Sequence, residues 1–145
     1  MTAGLRGVAA ALLMTVSVAA VASDIAMHRD PGCGCCEVWA QRVRAQFGRA
    51  VRIVDDTGRQ ARFGVPRALA SCHTAIVDGL MFEGHVPIAD MKRVLAARPR
   101  GVRGLAVPGM PIGSPGMEMR GMRAQAYDVI AFGPAGTRVY AHHGG

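Results

Sequence analysis

Residues 24–56 read DIAMHRDPGCGCCEVWAQRVRAQFGRAVRIVDD and contain three of the four cysteines of this 145-residue chain. Apolar positions from Cys36 to Phe47 recur at the spacing of a helix, and Gly48 follows as a natural helix end. Residues 24–30 and 50–56 are each typical of a short strand. The order strand, cysteine-bearing turn, helix and strand predicts a βαβ unit, whose two strands run parallel.

A β-hairpin is predicted over residues 73–85, which read HTAIVDGLMFEGH. Asp78 and Gly79 form a strong two-residue turn signal, because a type I′ turn requires positive φ at both positions. Farther along, the apolar spacing after Pro87 predicts an amphipathic helix that ends before Pro99.

The last third of the chain predicts a loop and a second hairpin. Residues 99–125 are rich in Gly, Pro and Met and follow neither the helix nor the strand period, so we expect a loop. Residues 127–143 predict a hairpin that turns between Gly133 and Gly136. The predicted fold class is α/β, with a βαβ unit, a β-hairpin, a helix, the Gly/Pro/Met-rich loop and a C-terminal hairpin.

The N-terminus predicts export from the cell. Residues 1–22 carry one basic residue, Arg6, followed by an apolar run that is short for a membrane span and ends in small residues. This is the layout of a secretory signal peptide. We expect a mature single domain over residues 23–143 in a bacterial periplasm, with no stable membrane insertion after cleavage.

The chain is basic, with a formal net charge of +7. Its arginines are scattered along the sequence and form no basic stripe interleaved with aromatic residues. Proteins that bind nucleic acids concentrate their basic residues in a patch or stripe. We therefore expect no nucleic-acid partner.

Three cysteines lie in CGCC, residues 33–36, at the N-terminus of the first predicted helix. Partial positive charge and free N–H groups at a helix N-terminus favour thiolate over thiol. The helical period puts Cys36 on the buried face and leaves Cys33 and Cys35 more accessible. Cys33 and Cys36 form a C-x-x-C pair, so Cys35 is one sulfur more than a dithiol catalyst needs.

The fourth cysteine, Cys72, comes directly before the predicted hairpin. The two-residue turn puts Cys72 opposite His85, and opposed residues share a face with their Cβ atoms roughly 4.5–5.5 Å apart. A metal ion could bridge the two side chains at that separation. Strand alternation points His73 to the other face, which makes Cys72 with His73 a poorer ligand pair than Cys72 with His85.

Three uses of the four cysteines stay open. Structural disulfides are common in exported proteins, although a bond between the neighbours Cys35 and Cys36 would be badly strained. A thiol–disulfide oxidoreductase would attack with Cys33 and resolve with Cys36, which leaves the other two cysteines without a role. A metal site uses all four, and thiolate with thioether ligands suits Cu(I). The candidate thioether ligands lie in the predicted loop: Met110, Met117, Met119 and Met122.

Four motifs together resemble a known family of small exported bacterial proteins. They are CGCCEVW (33–39), GVPRALASCHTAIVDGLMFEGHVP (64–87), GLAVPGMPIGSPGME (104–118) and YDVIAF (127–132). The chain resembles the CopG-type copper-resistance proteins, whose conserved region was long labelled a domain of unknown function. The resemblance covers about residues 24–140.

This resemblance implies a thioredoxin-like fold and copper handling in the periplasm, with cysteine thiolates that hold more than one Cu(I). It implies copper ions as partners, together with other periplasmic copper-handling proteins, and it leaves open whether copper or thiol redox activity makes the protein an enzyme. The implied sulfur ligands are the four cysteines. Further residues that match the family pattern are His73, His85, Met110 and Met117.

Overall fold

The computed structural model describes residues 24–144 and contains a seven-stranded sheet in the order β2-β1-β3-β4-β5-β6-β7. The strands are β1 (Ile25–Arg29), β2 (Val51–Asp55), β3 (His73–Val77), β4 (Leu80–Gly84), β5 (Gly104–Val107), β6 (Tyr127–Gly133) and β7 (Gly136–His143). The helices are α1 (Gly34–Phe47), α2 (Arg59–Phe63) and α3 (Ile88–Ala97), with a 3-10 turn at Arg67–Leu69. The predicted α/β class is confirmed. The predicted signal peptide, residues 1–22, lies outside the described residues.

The N-terminal unit has the predicted βαβ order. β1 and β2 are parallel neighbours, and α1 connects them. α1 ends at Gly48, whose φ of 63° is the left-handed conformation that glycine adopts at little cost. The buried face of α1 includes Cys36, Trp39 and Val43, at the spacing that the sequence predicts.

The central hairpin also has its predicted register. β3 and β4 are antiparallel, with Val77 opposite Leu80 and Thr74 opposite Glu83. Asp78 has a φ of 47° and Gly79 a φ of 81°. Both values are positive, as a type I′ turn requires. α3 then follows Pro87 and ends before Pro99.

The prediction that residues 99–125 form only a loop is wrong, because β5 lies within them. β5 pairs in parallel with β4 and antiparallel with β6, and all four of its residues are buried. β5 has a strand on each side, and both of its faces are buried, so none of its residues has to be polar. Its sequence therefore lacks the alternation of apolar and polar residues by which a strand is predicted. Residues 108–126, called here the methionine segment, contain no helix or strand.

Two groups of apolar side chains pack against the sheet. The larger one includes the buried faces of α1 and α3 together with Cys72. The smaller one includes Phe63 of α2 and Leu69 of the 3-10 turn. β6 and β7 form the predicted C-terminal hairpin, and His143 of β7 bonds Asp90 of α3 at 2.6 Å. Within residues 24–144, none of the helices has the length and apolar character that crossing a membrane requires.

Candidate metal centre

All four cysteine sulfurs converge at the N-terminus of α1. Their Sγ atoms lie within 4.8 Å of one another. Cys33 is the N-cap residue of α1, and Cys35 and Cys36 lie in its first turn. Cys72 comes from the segment directly before β3. The fold therefore gathers the four residues that the sequence suggests as sulfur ligands, from two separate elements.

Two of these sulfurs are covalently joined in this structure. Cys33 and Cys36 form a disulfide, with their Cα atoms 5.4 Å apart, inside the usual range for such a bond. Cys35 and Cys72 are free thiols. Cys33 and Cys36 lie at positions i and i+3 at the start of α1, and this spacing brings their sulfurs into bonding range. In the disulfide form they are therefore not the thiolate ligands that the sequence suggests. A set of four thiolates would require the reduced protein.

The accessibility of the sulfurs follows the helical period. Cys36 is buried, whereas Cys33 and Cys35 are half-buried. The Sγ atoms of Cys33 and Cys35 are 3.4 Å apart. Cys72 is buried on the hairpin side of the group. An ion or an oxidant thus reaches this group first at Cys33 and Cys35.

His85 lies beside Cys72, as the hairpin register predicts. The Nε2 atom of His85 is 3.1 Å from the Sγ atom of Cys72. On its other side, the Nδ1–H group of His85 donates to the carbonyl oxygen of Pro115 at 2.9 Å. This bond fixes the tautomer and points the Nε2 lone pair at the sulfur. Metal-binding histidines are typically held in this way, by donation from the second ring nitrogen to a carbonyl oxygen.

The expected separation of His73 from Cys72 is wrong. The Nδ1 atom of His73 lies 3.5 Å from the Sγ atom of Cys72, and donor atoms of Cys72, His73 and His85 lie within 4.8 Å of one another. β3 begins at His73, so Cys72 precedes the regular pleat and strand alternation does not determine its direction. The His73 ring is fully buried, 4.5 Å from the Trp39 ring, and its Nε2 atom has no hydrogen-bond partner.

Burial keeps this inner group of side chains uncharged when no cation is bound. Desolvation, together with the nearby Cys35, raises the pKa of the Cys72 thiol to about 12. Desolvation likewise holds the pKa of His73 well below its usual range, and the proximity of His85 lowers it further. Desolvation also lowers the pKa of His85. The two imidazoles are thus neutral, as metal ligands must be, and metal binding by Cys72 would release its proton.

The methionine segment covers the centre from one side. A Cβ atom at Gly116 would lie 3.0 Å from the Cys35 carbonyl oxygen and 3.2 Å from the Trp39 nitrogen. A side chain here would require the neighbouring atoms to shift by a few tenths of an ångström, and the φ of 90° also favours glycine. Two residues later, Glu118 forms an ion pair with Arg42 of α1, with Nη2 and Oε2 2.9 Å apart.

The methionines of this segment differ in their placement. Met117 is half-buried and lies between Gly116 and Glu118, which both contact the region of α1. Met110 is 41% exposed, and Met119 and Met122 are each 54% exposed. The structure thus brings the backbone of Met117 to the centre and leaves the other three facing solvent. The ligand roles of Met110 and Met117 stay predictions.

Sequence reasoning misses the residues that support the centre from behind. Arg59 and Glu83 are charged and fully buried, and both bond the segment that leads into Cys72. Arg59 lies among scattered arginines in a stretch predicted only as a connection, so no pattern marks it. Pro115 is also missed, since it acts through its carbonyl oxygen. Asp30 lies next to the cysteine turn in the sequence, and its carboxylate could have suggested that a basic residue such as Arg59 binds there.

The donor set has the chemistry of a soft-metal site. Sulfur atoms form one group of four, and one sulfur with two neutral imidazoles forms an overlapping group of three that shares Cys72. Thiolates favour Cu(I) and Zn²⁺, and imidazole suits copper and zinc. The His73 atom near Cys72 is Nδ1, whereas its Nε2 atom is buried without a hydrogen-bond partner.

Comparison with known proteins finds likeness over most of the chain. Residues 69–117 match the family model described as a protein of unknown function, DUF411. A solved structure named "Copper resistance protein copG- Form 1" is 40% identical, with a TM-score of 0.76 over 86% of this chain and 100% of that chain. The structure named "Copper resistance protein copG- Form 2" is 40% identical, with a TM-score of 0.74 over 83% of this chain and 97% of that one. No curated protein sequence matches the chain significantly.

Proposed function

The chain belongs to the CopG copper resistance protein family, and we propose on that premise that it binds copper as Cu(I) through Cys33, Cys35, Cys36 and Cys72. One observation carries the proposal: the four Sγ atoms lie within 4.8 Å of one another at a helix N-terminus. A soft cation is the partner that such a group of thiolates suits. The positive end of the α1 dipole also favours deprotonation of the three cysteines at the N-terminus of α1.

We extend the proposal to more than one copper ion per chain. Four sulfurs within 4.8 Å are close enough for single thiolates to bridge two ions. The donors of His73 and His85 next to Cys72 enlarge the ligand set beyond what one ion needs. Met117, whose neighbours anchor the methionine segment at the centre, is the favoured thioether donor, and Met110 is the outer one.

The cellular setting belongs to the same proposal. We propose a thioredoxin-like arrangement around the β1-α1-β2 unit, removal of residues 1–22 as a signal peptide, and a single domain over residues 23–143 that works in the periplasm. Other copper-handling proteins there would deliver or receive the metal. The role of the protein is then to sequester copper during resistance.

Copper redox conversion is consistent with the same residues. Closing the Cys33–Cys36 disulfide from two thiols releases two electrons and two protons. Two Cu(II) ions that accept these electrons become two Cu(I) ions, for which the free thiols of Cys35 and Cys72 remain as soft ligands. The presence of this disulfide in the structure supports the pair as the electron source.

Metal analysis tests the copper proposal directly. The reduced protein is loaded with Cu(I) without oxygen, separated from free copper, and its copper content and free thiols are measured by mass spectrometry and thiol titration. We expect several coppers per chain, and a large loss in the Cys72→Ser variant. A chain that retains four free thiols but no copper would overturn the proposal.

The disulfide between Cys33 and Cys36 favours a second candidate function, a thiol–disulfide oxidoreductase. Cys33 is the more accessible partner and would attack, and buried Cys36 would resolve. Replacing Cys35 and Cys72 with serine separates the two functions. Disulfide exchange with a model substrate would survive this change, whereas the copper site would be lost.

A further inference from the structure

The guanidinium group of Arg59 is fully buried, although it carries a charge. Its Nη1 and Nη2 atoms bond the two carboxylate oxygens of Asp30 at 2.6 and 3.2 Å. Nη2 also donates to the carbonyl oxygen of Ser71 at 2.6 Å, and Nη1 donates to that of Asp56 at 2.9 Å. Burial of an isolated charge is strongly unfavourable, so these contacts are what hold the side chain in place.

Two of the three partners of Arg59, Asp30 and Ser71, belong to the two segments that carry the cysteines. Asp30 accepts a hydrogen bond from the backbone N–H of Cys33 at 3.3 Å and donates its own N–H to the carbonyl oxygen of Cys72 at 3.0 Å. Ser71 is the residue before Cys72. One planar guanidinium group thus joins the start of the cysteine turn to the residue preceding the fourth sulfur, with the forked geometry that lysine lacks.

Cys72 precedes the regular ladder of β3, and the hydrogen bond from the Asp30 N–H to its carbonyl oxygen holds its backbone. Other bonds also hold its neighbour Ser71. The Ser71 N–H donates to the Glu83 carboxylate at 2.6 Å, and the Gln60 side chain donates to the Ser71 carbonyl oxygen at 2.9 Å. Of the three side chains that bond Ser71, namely Arg59, Glu83 and Gln60, Arg59 is the one that also bonds Asp30 at the start of the cysteine turn.

We propose that Arg59 is a positioning residue that fixes Cys72 against the cysteine turn and thereby sets the Cu(I) affinity of the four-sulfur centre. This inference rests on the proposed copper function. Arg59 itself touches no sulfur and acts through the spacing of Cys72 from Cys33, Cys35 and Cys36. A role in stability alone would leave the affinity of the folded protein unchanged.

The test compares Arg59→Lys with a matched control, Arg62→Lys. Both arginines lie in α2 and both form ion pairs with aspartates, but Arg62 is 57% exposed and pairs with Asp56, away from the cysteine segments. Cu(I) affinity of the reduced full chain is measured by competition with a chromogenic Cu(I) chelator. We expect at least about tenfold weaker binding in Arg59→Lys, the scale seen when supporting residues of metal sites are removed. Arg62→Lys should stay within about twofold of the unchanged protein, because the partner of Arg62 is the Asp56 carboxylate rather than Asp30 or Ser71.

A double-mutant cycle with Cys72→Ser separates positioning from general destabilisation. If Arg59 acts through Cys72, then Arg59→Lys causes no further loss of affinity once Cys72 is absent. Full affinity in Arg59→Lys, or losses that multiply in the double variant, would overturn the inference.

A folding control keeps the test decisive. Circular dichroism identifies the folded variants, and if Arg59→Lys does not fold, Asp30→Asn replaces it in the same cycle, since the Asp30 side chain is 52% exposed. If the unchanged protein binds no copper in this assay, the proposed function fails. If it binds copper and the Arg59 and Asp30 variants bind equally well, only the present inference fails.

Discussion

The Sγ atom of Cys72 lies 3.1 Å from the Nε2 atom of His85, across the open end of the central hairpin. The Pro115 carbonyl oxygen holds the opposite ring nitrogen. We expect His85→Gln to lower Cu(I) affinity by about tenfold to a hundredfold, because it removes a preoriented donor. The control is His142→Gln, since the side chain of His142 is 78% exposed and bonds Asp128 in the C-terminal hairpin. Chelator competition measures both variants, and equal affinities would contradict a ligand role for His85.

Copper uptake should depend on the redox state of Cys33 and Cys36. We expect the reduced protein to bind more copper per chain than the disulfide form, because a disulfide sulfur offers no thiolate. Copper content after gel filtration, with thiols counted in parallel, measures the difference. Cys33→Ser serves as the control, since it cannot form the bond and its copper content should not respond to oxidation. Equal loading of the two wild-type forms would rule out Cys33 and Cys36 as ligands.

The metal-free protein should lose stability as the pH falls below about 6.5, the usual pKa of histidine. Burial depresses the pKa of His73 in the folded chain, so the unfolded chain binds more protons in this range. The free energy of unfolding should therefore decrease by up to about 1.4 kcal/mol per pH unit from this residue. Urea unfolding at pH 7.5 and at pH 5.5 measures the effect.

His73→Gln provides the comparison for this pH dependence. Glu83, whose pKa burial raises, titrates in both proteins and cancels in the difference. The variant should show a shallower loss of stability between the two pH values. Identical slopes would mean that folding does not change the pKa of His73, which would contradict the depressed value.

The close approach of Gly116 to α1 should not tolerate a side chain. Gly116→Ala places a Cβ 3.0 Å from the Cys35 carbonyl oxygen, so the methionine segment must move away. Gly109→Ala is a matched control, because Gly109 also has positive φ but no atom within 4 Å of its added Cβ. In both variants an alanine must adopt positive φ, which lowers the free energy of unfolding by roughly 1–2 kcal/mol. Gly116→Ala should lower it by about 1–3 kcal/mol more, because the added Cβ overpacks the contact with α1. Thermal unfolding and copper affinity of the two variants should therefore differ, and matching values would contradict the contact.

Trp39 should report copper binding through its fluorescence. It is the single tryptophan of the chain, and its ring centroid lies 4.5 Å from that of His73. We expect Cu(I) addition to quench its emission until the centre is full, so that the end point gives the stoichiometry. The Cys72→Ser variant should reach its end point at a lower copper ratio. Unchanged emission in protein that carries copper would place the metal away from His73.

Local turn chemistry made the contact between Cys72 and His85 predictable. Asp78 and Gly79 fix a two-residue turn, which sets the register of the hairpin as far as Thr74 and Glu83 and leaves Cys72 and His85 near each other just beyond it. The same reasoning failed for His73, since alternation holds only inside the pleat and Cys72 lies before it. β5 was missed because a strand buried on both faces carries no alternating pattern.

The supporting residues could not be predicted for a different reason. Arg59 acts through long-range contacts with Asp30 and Ser71, which the fold brings together and no local spacing encodes. Gly116 is one of 19 glycines in the chain, and the amino-acid sequence does not show which of these glycines lies close to a helix. Family resemblance suggested the candidate ligand residues, whereas the residues that support them became visible only with the fold.

Cys33 and Cys36 are three residues apart, whereas Cys72 reaches them only when β3 pairs with β1. Contacts between neighbours form rapidly in a folding chain, and pairing between distant strands forms later. A newly made chain therefore presents a complete dithiol before the four-sulfur centre exists. If the chain binds copper as proposed, oxidation and metal capture would compete during that interval, and the faster reaction would determine whether the disulfide or the metal-bound centre forms.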